Sequence, residues 1–295
     1  MTDISPVQTP DFFATKEELK TFLRNQSQFK DFDYEGSNLN VLLDVLSYNT
    51  FYNTYYYNMA ISEMFLDSAT QRNSVLSHAK ELNYLPTSRR SASAKAAITV
   101  TYPNNSSNYF GIPEDTAFIG RCGNKTYNLL TDKAYTAVRS STNPNQYIVS
   151  DVEIFEGRMI TETLSTTDTT LANKNIDTRS LRVTVNGEDY IYRSDIYGAD
   201  KSDKVFYLQP ENDGKYSVQF GENRFGSQPT VTDSIKATYR VASGASANGV
   251  QSLTLGAFGG ASSIDIVVTS PSSGGRESED IESIRTFAPK AAQIQ

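Results

Sequence analysis

The spacing of apolar residues changes near residue 90, and that change constrains the fold more than any other feature of the chain. Before it, apolar side chains recur at helical intervals. Leu19, Phe22 and Leu23 follow a Thr15–Glu18 pair, and Val75, Leu76, Ala79 and Leu82 follow Ser68 and Gln71. Both pairs have the spacing of a capping box, in which a hydroxyl and a longer polar side chain satisfy the first amides of a helix. Between them Gly36, Ser37 and Asn38 open a longer helix, and Pro86 stops the last one. After "PTSRRSASAK" the period becomes two: Ile98, Val100 and Tyr102 alternate with Thr99 and Thr101. Leu181, Val183 and Val185 run into Asn186-Gly187, the dipeptide that suits a two-residue hairpin turn. Further strands are expected over 147–155, 205–208, 216–220, 235–241 and 264–268, separated by clusters such as "PENDGK".

These patterns predict an α+β chain: a helical bundle region, then mostly antiparallel β structure, then a carboxy-terminal helix beginning near 278. Ser278 is placed to cap that helix, acidic residues crowd its first turn, and Ile281, Ile284 and Phe287 keep one apolar side. With 295 residues the chain exceeds the usual size of one core. The expected divisions are a helical assembly region over 1–90, a first β domain over 91–175, a second over 176–270, and a linker with the start of a helix over 271–295. "TTDTTLANKN" (166–175) is expected to join the two β units.

The middle helix is unusual. "YNTFYNTYYYN" carries rings at Tyr48, Phe51, Tyr52, Tyr55, Tyr56 and Tyr57. At about 100° per residue, one stripe holds Leu39, Leu42, Leu43, Leu46, Tyr57, Ile61 and Met64, and another, roughly opposite, holds Val41, Val45, Tyr48, Tyr52, Tyr55, Tyr56 and Met59. A helix that is apolar on two faces must be covered twice, inside a bundle or by another chain. Tyrosine combines apolar area with a hydroxyl that tolerates a wet rim. Tyr48, Tyr52, Tyr55, Tyr56 and Met59 are therefore expected at a protein interface, with Leu39, Leu42, Leu43 and Leu46 packing within the domain. The competing reading buries all these rings inside a larger helical domain. Thr50, Asn53 and Thr54 interrupt the aliphatic stripe and mark a potential kink.

Signals for chemistry are sparse. Acidic residues outnumber basic ones, 34 to 27, for a net charge of -7, which disfavours nucleic acid and anionic membrane surfaces. His78 is the sole histidine and Cys122 the sole cysteine, which excludes disulfide frameworks and multi-cysteine zinc sites. His78 on its apolar helix reads as structural, and Cys122 as a small packed thiol. "GAFGGA" (256–261) has the wrong spacing for a nucleotide loop. "SRR" (88–90) with Lys95 reads as a solvated basic linker. Residues 1–30 lack the apolar segment of a signal peptide, and no run approaches the roughly 20 apolar residues of a membrane span. The sequons at Asn25, Asn104, Asn105 and Asn124 are then chance matches. No cofactor, metal or catalytic residue is expected.

Three stretches in order resemble the baseplate J-like proteins of contractile-tailed bacteriophages and related injection machines: "VQFGENRFGSQP", "YRVASGASANGV" and "SSGGRESEDIESIRTFAPKA". Their turn glycines are Gly221, Gly226, Gly244, Gly249, Gly274 and Gly275. Glu222-Asn223 stands where the family more often has Asp-Gly. "DYEGSNLNVLLDVLSYNT" and "ELNYLPTS" are similar to the baseplate wedge subunits of large myophages. The resemblance implies a structural protein of the virion, assembled in the host bacterial cytoplasm. Its implied partners are another copy of itself, a larger baseplate wedge subunit and sheath-proximal baseplate proteins, joined in the ring around the tail hub. Family members continue past the Ala-Pro helix, so a longer chain beyond Gln295 is expected. Two other classes remain open at this point. One is a carboxylate-dependent hydrolase of envelope polymers, which needs two carboxylates about 5–10 Å apart in a cleft. The other is a host glycan or receptor-binding module with exposed aromatics near Tyr109-Phe110.

Overall fold

The computed structural model describes residues 11–294 apart from 27, 29, 104–106, 257, 259 and 260. Asn104, Asn105, Gln295 and much of "GAFGGA" lie outside the described residues. The chain divides into two units, Met1–His78 and Ala79–Gln295.

In the first unit, α1 (Phe12–Arg24) starts at Asp11, whose carboxylate accepts from the Phe13 amide at 2.8 Å. The expected Thr15–Glu18 box does not form. Asp11 already caps the helix, and the Thr15 hydroxyl donates back to the Asp11 carbonyl at 2.9 Å. α2 (Asn38–Glu63) starts as the sequence implies, with Ser37 Oγ accepting from the Asn40 amide at 3.0 Å. It runs unbroken for 26 residues. Thr50 and Thr54 donate to the carbonyls of Leu46 and Thr50, at 3.0 and 2.8 Å, and Asn53 bonds Asn49. Their polar groups are absorbed along the helix, so no kink is needed.

The second capping box is also displaced. Ser68 donates to the Ser62 carbonyl at 2.7 Å, while the Glu63 carboxylate collects the Thr70 amide, the Thr70 hydroxyl and the Gln71 amide at 2.9, 2.7 and 3.2 Å. One carboxylate thus shapes the turn into α3 (Arg72–Glu81). His78 Nε2 lies 3.0 Å from the Glu63 carbonyl. Beyond the end of α3 comes Asn83, whose φ is 55°, with the amides of Asn83 and Tyr84 returning to the carbonyls of Lys80 and Ala79. This left-handed residue terminates the helix before Pro86 is reached.

The second unit holds two sheets. The strands are β1 (Ser93–Thr101), β2 (Tyr109–Ile112), β3 (Ala117–Cys122), β4 (Lys125–Thr131), β5 (Tyr135–Arg139), β6 (Gln146–Glu156) and β7 (Arg158–Leu164). They continue with β8 (Ile176–Val185), β9 (Glu188–Tyr192), β10 (Val205–Pro210), β11 (Tyr216–Phe220), β12 (Ile235–Val241), β13 (Ser252–Leu255) and β14 (Ser263–Ser273). The first sheet has the order β13-β3-β4-β6-β1-β14, with β5 added to β6 and β2 to β5. The second has the order β11-β10-β9-β8-β12-β7. All pairs are antiparallel except β9 with β10. Alternation explains each core: Ala94, Ala96, Ile98 and Val100 point inward from β1 onto Phe118, Leu129 and Ile154, while Val183, Phe206, Val218, Ile235 and Tyr239 fill the other. Asn186 and Gly187, both with positive φ, turn β8 into β9 with Val185 opposite Glu188.

The sheets do not follow the expected divisions at 175/176 and 270/271. Residues 166–175 are no joint: Leu171 is fully buried in the second core, and its amide donates to the Tyr216 carbonyl at 2.8 Å. The chain leaves the first sheet at Gly157, before β7, and β14 returns to pair with β1 from Ser93↔Ser273 to Thr101↔Ser263. Local alternation carries no information about such distant partners. Finally α4 (Ile281–Ile294) is capped by Asp280, which accepts from the Ser283 amide at 2.7 Å, rather than by Ser278. Ile284 and Ala288 are its buried positions. The fold is α+β.

Candidate interaction surface

α2 turns both of its apolar stripes outward. Tyr48, Tyr52, Tyr55, Tyr56 and Met59 are exposed, and so are Val41 and Val45 on the same stripe. On the other stripe Leu42 and Leu46 are 58% and 55% exposed, with Tyr57, Ile61 and Met64 also open. The expectation that Leu42 and Leu46 pack within the domain is therefore wrong. Leu43 is buried and Leu39 half-buried. The inward side is a third stripe, Asn40, Leu43 and Ser47, continued by half-buried Phe51, Thr54 and Asn58. These positions recur every three to four residues, but their mixed polarity hid them behind the stronger aliphatic and aromatic signals. The Asn40 Oδ1 and Ser47 Oγ atoms have no hydrogen-bond partner among the described residues.

α1 lies along the first half of α2. Lys16 pairs with Asp44, and the Phe12 ring meets Tyr48 edge-on at 6.0 Å. A ladder of rings continues up the helix: Tyr48 to Tyr52 at 4.8 Å, Tyr52 to Tyr56 at 6.4 Å, and Tyr55 to Tyr56 at 5.8 Å. Beside it runs an open groove of about 460 Å³ lined by Phe12, Asp44, Val45, Tyr48, Asn49, Tyr52 and Asn53. The Tyr48 and Tyr52 hydroxyls stand 3.2 Å apart, and this hydrogen bond raises the Tyr52 phenol above its ordinary value. The stripe presents rings with hydroxyl tips, suited to burial against another protein surface.

The turn glycines fall into two places. Gly221 and Gly226 close the reversal after β11, where the amides of Arg224 and Phe225 both donate to the Gly221 carbonyl at 2.9 Å. Gly244, Gly249 and Gly275 come together where 244–250 docks on 272–277. There the Asn248 side chain accepts from the Gly275 amide and donates to its carbonyl, at 2.9 and 3.0 Å. A Cβ on Gly275 would lie 2.4 Å from the Gly244 carbonyl oxygen, so this backbone approach excludes any larger residue. Gly274, with φ of 80°, precedes that contact with open space around it.

The other candidates from the sequence are accounted for by packing. Cys122 is half-buried against the first core, with Sγ 3.6 Å from the Asn248 carbonyl. Phe110 belongs to a ring cluster with Tyr102, Tyr147 and Phe258, which leaves Tyr109 as the exposed ring of that pair. The "SRR" stretch is not a solvated linker: Ser88 is buried and shares a 2.8 Å hydrogen bond with Thr178, and Arg89 pairs with Glu277. Among the described residues no group of three or more His, Cys, Asp or Glu is placed to hold a metal ion, and no helix is long and apolar enough to cross a membrane.

Comparison with known proteins agrees with the emphasis on the helices. Residues 11–84 match the family model "Baseplate wedge protein gp6-like, helical domain". The chain is 31% identical over 261 residues to baseplate wedge protein gp6 of Enterobacteria phage T4, an alignment covering 81% of this chain. The chain spans 39% of that relative's length. Among solved structures, a chain of the anti-feeding prophage (AFP) baseplate, determined by cryo-EM and 6-fold symmetrised, aligns with 94% of this chain and 59% of its own. Its identity is 13% and its TM-score 0.29, too low to carry an argument. In sequence, then, this chain is similar to the baseplate wedge proteins through its helical region and well beyond it.

Proposed function

We propose that the chain is a structural subunit of a phage tail baseplate wedge, joining copies of itself and other wedge proteins into the ring around the tail hub. The observation that carries this reading is α2, whose two apolar stripes lie open along the same helix that matches the wedge family model. In this reading residues 1–90 are the assembly region. Tyr48, Tyr52, Tyr55, Tyr56 and Met59 are contacts to another chain, and a few such aromatic anchors dominate the affinity. The exposure of Leu42 and Leu46 supports a second contact on the opposite side of the helix, which a helical bundle of several chains would supply.

The turns at Gly221–Gly226 and Gly244–Gly275 support a baseplate J-like character for the β part, with the Asn248–Gly275 clasp as its local device. The partners in this reading are a second copy, a larger wedge subunit and sheath-proximal baseplate proteins, and assembly takes place in the host cytoplasm. The role is structural rather than enzymatic.

The test is assembly. Tyr52→Ala with Tyr55→Ala should weaken complex formation by about 2 kcal/mol or more while the β sheets stay folded. Native mass spectrometry of the complex, with circular dichroism of the same sample, reads both. Full assembly by the double variant would defeat the proposal.

A further inference from the structure

Within the unit of residues 79–295 the two hydrophobic cores share no residue. Two stretches of chain connect the sheets, β6 to β7 and β12 to β13, and a third, leading from α3 into β1, runs beside them. Val241 pairs with Arg158, so the exit after Gly157 and the return after β12 are neighbours. The third stretch, 89–92, adjoins both: the Ala92 carbonyl accepts from the Glu156 amide at 2.8 Å, and Arg89 reaches the Ala242 carbonyl at 3.4 Å. Gly157 has φ of 127°, and a Cβ there would lie 2.6 Å from the Val241 carbonyl oxygen. The close approach of the strands requires glycine at this crossing.

The named side-chain hydrogen bonds between the sheets and their connecting stretches tie ionic and hydroxyl groups. Next to the crossings, Asp177 accepts from the Ser91 amide and hydroxyl at 3.0 and 2.6 Å, and Glu156 accepts from the Ser243 amide at 3.0 Å. Toward the loops of the first sheet, buried Arg240 binds Asp132 at 2.9 Å and Arg182 binds Glu114 at 2.8 Å. Adjoining bodies with separate cores and a polar seam move relative to one another unless something fixes them. Crossings that lie together supply the hinge of such motion.

We propose that the two sheets form an articulated pair, turning about the crossings at Gly157 and Val241–Ser243 beside the 89–92 stretch, and latched in the observed setting by the Arg240–Asp132 and Arg182–Glu114 ion pairs. The latch sets the angle between the sheets. Every group involved lies between residues 79 and 295, so the inference stands whatever covers α2.

The test uses the full chain with Cys122→Ser, spin labels at Asn124→Cys and Val231→Cys, one on each sheet, and pulsed dipolar distance measurement. With the latch intact the distribution should be single and narrow. Glu114→Ala with Asp132→Ala removes the partly exposed carboxylates and should raise a second, displaced distance about tenfold, the change expected for losing two partly exposed ion pairs. An unchanged narrow distribution would overturn the proposal. Cooperative unfolding of both sheets in the double variant would overturn it equally, since the ion pairs would then belong to one shared core.

Discussion

α2 buries Asn40, Leu43 and Ser47 along 26 residues, whereas β1 buries Ala94, Ala96, Ile98 and Val100 along nine. Both elements present apolar groups at regular spacing. The strand finds its cover in its own chain, from β6 on one side, β14 on the other and the core beneath. The helix is covered on one narrow, largely polar stripe. Two regions with similar apolar content thus differ in where their stabilisation originates. Burying apolar area stabilises by about 25 cal/mol per Å², and the β unit realises that gain within one molecule. The helix leaves most of its apolar side chains exposed in this chain.

The sharpest way to break this comparison is to truncate a ring in each region. Tyr239→Ala, in the second core, should cost about 3–5 kcal/mol in urea unfolding. Tyr52→Ala, at concentrations where the chain is not associated, should stay within about 0.5 kcal/mol. Equal costs would mean that α2 is already covered. A smaller effect sharpens the helical side: Ser37→Ala removes the cap of α2 and should cost about 1 kcal/mol, read as loss of helical circular dichroism.

The smallest effect is a pH dependence confined to the end of α2. Hydrogen bonds from the hydroxyls of Ser74 and Thr70, with the Thr70 amide, hold the Glu63 carboxyl at about 2, below its ordinary 4.5. A lowered carboxylate contributes order above its ordinary value and loses it as pH falls through the lowered one. The protection of the Thr70 and Gln71 amides, taken as exchange relative to the intrinsic rate at the same pH, should therefore be high at neutral pH and fall as the solution is acidified toward about 2. The amides of Leu129 and Ile154, inside the first sheet, should not respond over the same range.

Much of the fold was legible in the residues. Alternation located β11 and β12 to the residue, and Asn186-Gly187 announced the β8–β9 hairpin because a two-residue turn demands positive φ at both positions. Ser37 announced the start of α2. Capping failed at three other ends, where Asp11, Glu63 and Asp280 displaced Thr15, Ser68 and Ser278. At α3 the Glu63 carboxylate takes the Gln71 amide that Ser68 would have bonded, whereas α1 and α4 start at other residues than expected, Asp11 and Asp280, whose carboxylates accept more strongly than a hydroxyl. The aromatic stripe was legible as a surface in need of cover. The inward side of α2 was not, because Asn40 and Ser47 carry no apolar signal while Leu42 and Leu46 carry a false one.

What the sequence determined unaided was local: where the chain is helical or extended, where it reverses, and that α2 has more apolar surface than one face can hide. These follow from backbone sterics and side-chain periodicity, which act over a few residues. What tertiary structure alone decided was partnership. β14 returning to β1, Leu171 entering the second core and the crossings meeting at Gly157 depend on contacts between residues far apart in the chain. Such contacts are selected by the free energy of the whole packed arrangement.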